Sequence, residues 1–130
     1  MAAPRSLEAL KGTVGIWTTT HEAVSPAESQ EVAREIESLG YSALWIPEAW
    51  SREALTNAGL LLAGTTSLVI ATGIANIWAR DAVSAASSAK TLNAAYADRF
   101  VLGLGVSHKP LVEGLRSHSY QSPVEHMRSY

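Results

Sequence analysis

The side chains able to move a proton or hold a ligand gather in four short stretches, Trp17 to His21, Glu48 to Trp50, Thr72 to Trp78 and Gly105 to Lys109. They supply a carboxylate, imidazole, an amine and several hydroxyls among Trp and other apolar residues. That mixture suits a flat, partly polar heterocycle better than a metal or a polyphosphate. His21 and His108 are not at ligand spacing, and no pair of carboxylates accompanies them, so no metal site is expected. Gly103-Leu104-Gly105-Val106-Ser107-His108 invites comparison with the dinucleotide fingerprint GxGxxG, but His108 stands where the third glycine belongs. The simpler reading is a strand end whose glycines let a ring or a neighbouring backbone lie close.

Each stretch follows an apolar run, and the elements that must position them are legible. Gly12 to Thr18 is a β-branched and aromatic strand candidate. Ser25-Pro26-Ala27-Glu28 is a helix start with N-cap, N1 proline and N3 glutamate, and Gly40 takes the left-handed position after its end. Val32, Ala33, Ile36 and Leu39 form the apolar stripe between them. Ser42 to Ile46 reads as a strand covered on both faces, ended by Pro47. A helix is expected from Arg52 to Ala63. Leu68 to Ala71 is the third strand, and Thr72-Gly73 interrupts it where a bulge or close approach is expected. Asp81 caps a helix carrying Ala85, Ala86, Ala89, Leu92 and Ala95 as a small-residue face. Val101 to Gly105 is the fourth strand. Short connections between apolar strands and helices mean a parallel α/β fold, in which ligands sit at the carboxyl ends of strands. Spacing alone leaves open whether the sheet is doubly wound or part of a barrel.

The bulk numbers narrow the function classes. A chain of 130 residues suits a single domain spanning 1–130. Ten Lys and Arg are scattered and the net charge is -2, which gives no footprint for nucleic acid or an anionic membrane. No run of about 18 uncharged apolar residues occurs, and the first residues lack a signal-peptide core, so a cytoplasmic protein is expected. The absence of cysteine agrees with a reducing compartment. Ser122-Pro123-Val124-Glu125 repeats the helix start seen at Ser25, only residues before Tyr130. A chain that is the N-terminal half of something longer is therefore expected.

Three runs carry a resemblance: WIPEAW at Trp45 to Trp50, ATGIANIWARD at Ala71 to Asp81, and ADRFVLGLGVSHKPLVE at Ala97 to Glu113. They are similar to the luciferase-like monooxygenase superfamily, and most of all to its branch using the deazaflavin coenzyme F420. The resemblance implies a partial (β/α)8 TIM-type barrel of about four parallel β/α units, with a cofactor ring across the strand ends. It implies a non-prolyl cis peptide at Gly73-Ile74 propping that ring. The cofactor-contacting set it implies is Glu48, Thr72, Gly73, Ile74, Val106 and Ser107, with His108 as candidate acid or base. Where some relatives carry a His after the acidic residue, this chain has Ala49. The implied activity is hydride transfer between F420 and a small organic substrate. FMN-dependent monooxygenation is the alternative, and an inactive or partner-dependent half-barrel is another. A homo-oligomer or a C-terminal half would be the partner completing the barrel, and the chain alone is expected to bind deazaflavin weakly.

Overall fold

The structure, a computed structural model, describes residues 5–130. A helical turn α1 (Arg5–Ala9) leads to strand β1 (Gly15–Trp17), which starts later than its apolar run because Gly12, at φ +71°, turns the chain first. Then follow α2 (Thr20–Ala23), α3 (Pro26–Ser38), β2 (Ala43–Ile46), α4 (Ala54–Ala63), β3 (Val69–Thr72), β4 (Ala75–Asn76), α5 (Ala82–Ala95), β5 (Phe100–Val101) and β6 (Leu104–Gly105). A wide π-type helical turn, Pro110–Leu115, and α6 (Pro123–Ser129) close the chain. Strands β1, β2, β3 and β5 form one parallel sheet in that order, and β4 pairs in parallel with β6 beyond it. The third and fourth strands of the sequence are thus each broken in two, at Gly73-Ile74 and Leu102-Gly103.

Alternation along the strands sends Leu44, Ile46 and Ile70 to one face, where they share a buried cluster with Ala33 and Ile36 of α3 and Leu55, Ala58, Leu61 and Leu62 of α4. Ala89, Leu92 and Tyr96 bring α5 against the same cluster. With α3, α4 and α5 all on one side, the fold is a sector of a (β/α)8 barrel rather than a doubly wound sheet. At Gly59 a Cβ would come within 3.3 Å of Leu92 Cδ2, so glycine there lets α4 and α5 pack closely.

The helix starts follow the sequence closely. Ser25 accepts from the Glu28 N–H while the Glu28 carboxylate accepts from the Ser25 N–H at 2.8 Å, the reciprocal box expected, and Asp81 accepts from the Ser84 N–H. Gly40 has φ +85°. Helix α4 begins two residues late because the Glu53 carboxylate, not Arg52, receives its first N–H groups, from Leu55 and Thr56. Three expectations need correction. Leu39 is solvent-exposed, lying past the stripe's last buried turn at Ile36. On α5 the inward face is Ala85, Ala89, Leu92 and Tyr96, which leaves Ala86 and Ala95 exposed. Ser122 sits at φ +44°, so its side chain makes no cap, and Glu125 pairs with Arg128 at 2.6 Å instead.

Two charged side chains tie helices to the sheet's amino end. The Glu37 carboxylate accepts from the N–H groups of Thr66, Ser67 and Leu68 and from the Ser67 hydroxyl. Burial pushes this carboxyl upward, but those hydrogen bonds outweigh it and bring it down to about 2. Arg99 donates to the carbonyls of Leu62, Thr65 and Leu68 and to the Thr65 hydroxyl, capping the C-terminus of α4 with a cation.

Candidate functional site

The site is built around the break in the third strand. Its Gly73-Ile74 peptide is cis. Four polar groups around the break are held. The Gly73 N–H donates to the Ile46 carbonyl at 2.8 Å, the Glu48 N–H donates to the Ile74 carbonyl at 3.1 Å, and the Trp17 indole N–H donates to the Gly73 carbonyl at 2.8 Å. The Thr72 hydroxyl both accepts from the Gly103 N–H and donates to the Gly103 carbonyl, each at 2.8 Å. A Cβ at residue 103 would fall on the Thr72 carbonyl oxygen, and one at residue 105 would lie 2.5 Å from Ile74 Cγ1. Both glycines of the GLG run are therefore there for packing against the bulge, which is what a parallel neighbour needs when a strand swells.

Over the break lies a cleft of about 280 Å³. Gly73 and Ile74 line it, with walls from Trp17, Pro47, Trp50 and Leu111, and Thr19, Ser107 and His108 bring polar groups to it. Trp17 and Trp50 are 58% and 65% exposed, large indoles left open to solvent at the strand ends. Of the sequence-derived site residues, the structure therefore gathers Glu48, Gly73, Ile74, Ser107 and His108 around one cleft. Val106 stays to the side, its carbonyl taken by the Trp78 indole N–H at 3.0 Å. Thr72 is fully buried with its hydroxyl spent on Gly103, so it offers no free side-chain group.

Glu48 touches the cleft, but its carboxylate is engaged elsewhere. It forms a bidentate ion pair with the Arg80 guanidinium, accepts the Asn76 N–H at 2.7 Å and the Ala54 N–H at 3.3 Å, and has Arg116 at 3.8 Å. Arg80 also donates to Glu53 at 2.6 Å and to the Asn76 carbonyl at 3.0 Å. Burial works against the charge on Arg80, but Glu48 and Glu53 overcome it and raise its affinity for the proton. One buried pair thus ties the end of β2, the start of α4 and the residue just after the bulge. Sequence reasoning passed over Arg80, although a lone Arg shortly before a helix cap, opposite a post-strand Glu, was a visible signal.

A second buried carboxylate, Glu22 on α2, shapes the other wall. It accepts from the Ser51 N–H at 2.8 Å and the Ser51 hydroxyl at 2.6 Å. Burial pushes Glu22 upward, and these hydrogen bonds outweigh it, leaving its pKa below the usual carboxylate value. They pin the loop that presents Ala49 and Trp50. His21 is 2% exposed on α2, with neither ring nitrogen hydrogen-bonded. Burial lowers its pKa, and Glu22 opposes that shift while Arg52 adds to it. His108 is exposed, at the cleft.

The C-terminal segment covers the far side of Trp78. The His126 ring stacks on the indole at 4.1 Å between centroids and Tyr120 tilts against it at 5.6 Å, while the Tyr120 hydroxyl donates to the Ser107 carbonyl at 3.2 Å. Ser107, at φ +57°, is held in the left-handed region by the loop.

The sequence model of one family, described as Luciferase-like monooxygenase, matches residues 10–130. A protein of Mycobacterium tuberculosis named as a coenzyme F420-dependent oxidoreductase is 29% identical over 105 residues, 81% of this chain and 30% of that protein. Among solved structures, the coenzyme F420 dependent tetrahydromethanopterin reductase from Methanopyrus kandleri superposes with a TM-score of 0.72 at 20% identity, over 80% of this chain and 30% of that one. The FMN-bound oxygenating constituent of 3,6-diketocamphane monooxygenase from Pseudomonas putida gives 0.73 at 14% identity, over 90% and 36%. The chain spans about a third of the length of these relatives. No helix among the described residues is long and apolar enough to cross a membrane.

Proposed function

Because the chain belongs to the luciferase-like monooxygenase family, we propose that it forms the cofactor-floor portion of an oxidoreductase that moves a hydride between coenzyme F420 and an organic substrate. The observation that carries this reading is the bulged strand end at Gly73-Ile74, lying against an apolar cleft at the carboxyl ends of parallel strands. A flat ring fits such a surface. At residue 73 a Cβ would already meet the Trp17 indole at 3.3 Å, so glycine keeps the floor low. The choice of F420 over FMN is supported by the name of the mycobacterial relative. The likeness to the FMN-bound oxygenating constituent of 3,6-diketocamphane monooxygenase supports the second reading, an FMN-dependent monooxygenase.

When bound, the deazaflavin supplies the hydride-accepting and hydride-donating carbon, and the protein supplies orientation, water exclusion and proton handling. Gly73 and Ile74 would bear the ring. Trp17 fixes that floor through the Gly73 carbonyl, and Pro47 and Leu111 exclude water from the edge. Ser107 would meet the ring margin. His108 would exchange a proton at the open side of the cleft, since Ala49 offers none next to Glu48. Glu48 acts through its main chain and its pair with Arg80, holding the bulge rather than presenting a free carboxylate.

The test is parallel titration of the protein with F420 and with FMN, followed by the fluorescence of each cofactor. Tighter binding of F420 is expected, with Trp17→Ala weakening it. Tighter binding of FMN would overturn the cofactor assignment, and a Trp17→Ala variant that binds F420 as tightly as the wild type would overturn the reading of this cleft as the cofactor floor.

A further inference from the structure

Beside the cofactor cleft, and sharing Glu48, Ala49 and Trp50 with it, lies a second pocket of about 290 Å³. The wide turn Pro110–Leu115 serves both, since Leu111 lines the cleft while Leu115 and the next residue, Arg116, line the pocket. Turns of this π type recur at functional sites. Arg116 is the side chain here that the fold itself does not use. It is 27% exposed, its Nε–H is buried without a hydrogen-bond partner among the described residues, and its Nη2 stands 3.8 Å from the Glu48 carboxylate, beyond hydrogen-bond reach. A largely buried cationic donor without an acceptor is costly, and a negatively charged oxygen pair is the acceptor that a planar guanidinium meets best.

The carboxylates that reach the pocket are already engaged. Glu48 is paired with Arg80 and accepts the Asn76 and Ala54 N–H groups, and Glu53 accepts from Arg80 and from the Leu55 and Thr56 N–H groups. Glu22, behind the pocket, is held by the Ser51 N–H and hydroxyl. Arg52 also lines the pocket and spends its donors on neutral oxygens, the Val24 carbonyl and the Asn57 amide, with no carboxylate within 4 Å among the described residues. Trp50 and Leu115 leave large apolar side chains open to solvent at the pocket's edge, surface that an apolar ligand body would cover.

We propose that this pocket is an anion subsite, in which Arg116 holds the carboxylate or phosphate of a ligand whose apolar body lies against Trp50 and Leu115. Two sources can bring that group, an acidic substrate or an acidic arm of the cofactor in the adjoining cleft. The subsite stands on the unspent guanidinium and its apolar neighbours, so it does not depend on which cofactor the cleft takes.

Two probes with one body isolate the charge, 2-naphthoate and the neutral 2-naphthamide. Each is titrated into nitrogen-15-labelled protein while the Arg116 Nε–H and the indole N–H resonances are followed. Naphthoate is expected to move the Arg116 and Trp50 signals more than that of Trp17, which lines the cofactor cleft and not this pocket. The amide should bind at least tenfold more weakly. Arg116→Met should weaken naphthoate at least tenfold and leave the amide within twofold, and Arg116→Lys, which keeps the charge without the planar fork, should fall between. Equal affinity for acid and amide in the wild type, naphthoate that leaves the Arg116 signal in place, or naphthoate that binds Arg116→Met as tightly as the wild type overturns the proposal. The first two readouts need no variant, so a substitution that disturbs folding does not blunt them. Repeating the titration after adding F420 separates the sources. F420 that itself shifts the Arg116 signal identifies the cofactor's acidic arm as the occupant, whereas naphthoate that still shifts it in the presence of F420 identifies an acidic substrate. A protein that takes naphthoate on Arg116 but no F420 loses the cofactor assignment and keeps the subsite.

Discussion

The indole N–H of Trp17, at the end of β1, donates to the carbonyl of Gly73, in the bulge after β3, at 2.8 Å across 56 residues of sequence. Strand β2 lies between the two, so this bond bridges over a whole strand at the sheet's carboxyl end. Replacing Trp17 by Phe removes the donor and keeps an aromatic face. Because the position is open to water, the Gly73 carbonyl can be rehydrated, and a loss of about 0.5–1 kcal/mol is expected. Urea unfolding should show a lower midpoint at unchanged slope, while a changed slope would mean a wider rearrangement.

Gly103→Ala forces a methyl onto the Thr72 carbonyl, which belongs to backbone and cannot swing away. A loss of about 3 kcal/mol or more is expected, at or above the upper end for overpacked sites. Gly114→Ala is the control, since nothing lies within 4 Å of its added Cβ and its φ is not left-handed. There the restricted unfolded chain should leave stability unchanged or raised by about 0.4–1 kcal/mol. Equal melting temperatures for the two variants would contradict the close approach.

Breaking the Arg80–Glu48 pair from either side leaves a buried charge with only its lesser contacts, the Asn76 and Ala54 N–H groups and the more distant Arg116 for Glu48 and the half-exposed Glu53 for Arg80. Arg80→Met and Glu48→Leu should each cost about 3–5 kcal/mol, whereas the double variant should cost much less than their sum. A double-mutant cycle in denaturant measures the coupling, and additivity within about 0.5 kcal/mol would mean that the pair contributes nothing specific.

His21 is buried and its pKa lies below the usual 6.5. In the window between its folded pKa and 6.5 the unfolded chain binds the proton that the folded chain refuses, so stability falls as pH drops through 6.5 and levels off once the folded group also titrates. Glu22, Arg52 and the Pro47 carbonyl surround it, and hydrogen bonds from Ser51 hold the Glu22 carboxyl below its usual value. Thermal melts from pH 8 to 5.5 should show the decline in the wild type and a flatter profile in His21→Leu. A slope unchanged by the substitution would assign the effect elsewhere.

Glu37 sets a separate acid limit. Its folded value of about 2 lies below the usual 4.5, so the stability it gives is present above 4.5 and is lost as pH falls from there toward 2. Glu37→Gln keeps an acceptor oxygen but not the charge. It should lower stability at pH 7 and match the wild type near pH 2, and a deficit that persists at pH 2 would point to packing instead of charge.

What the sequence by itself determined was everything carried by local chemistry. Ser25 with Glu28, Asp81 before its alanines, Gly40 after Leu39 and Pro47 after Ile46 each placed an element boundary within a residue or two, because caps and breakers act on their own neighbours. Gly73 inside a β-branched run marked the bulge for the same reason, and the parallel α/β class followed from apolar strands alternating with helices. The choice of a barrel sector needed tertiary structure, since it depends on α3, α4 and α5 all packing on one face of the sheet. So did the fate of the polar side chains. Glu48 looked like a free carboxylate at a strand end, and only the approach of Arg80, 32 residues away, turned it into a buried tie. His21 looked like a loop imidazole until α2 folded it inward, and Gly103 looked like part of a fingerprint until Thr72 came against it. Side-chain type and spacing report what a residue can do within a few residues of itself. Which partner uses up its charge or fills its space depends on chain segments tens of residues apart, and only their packing decides that.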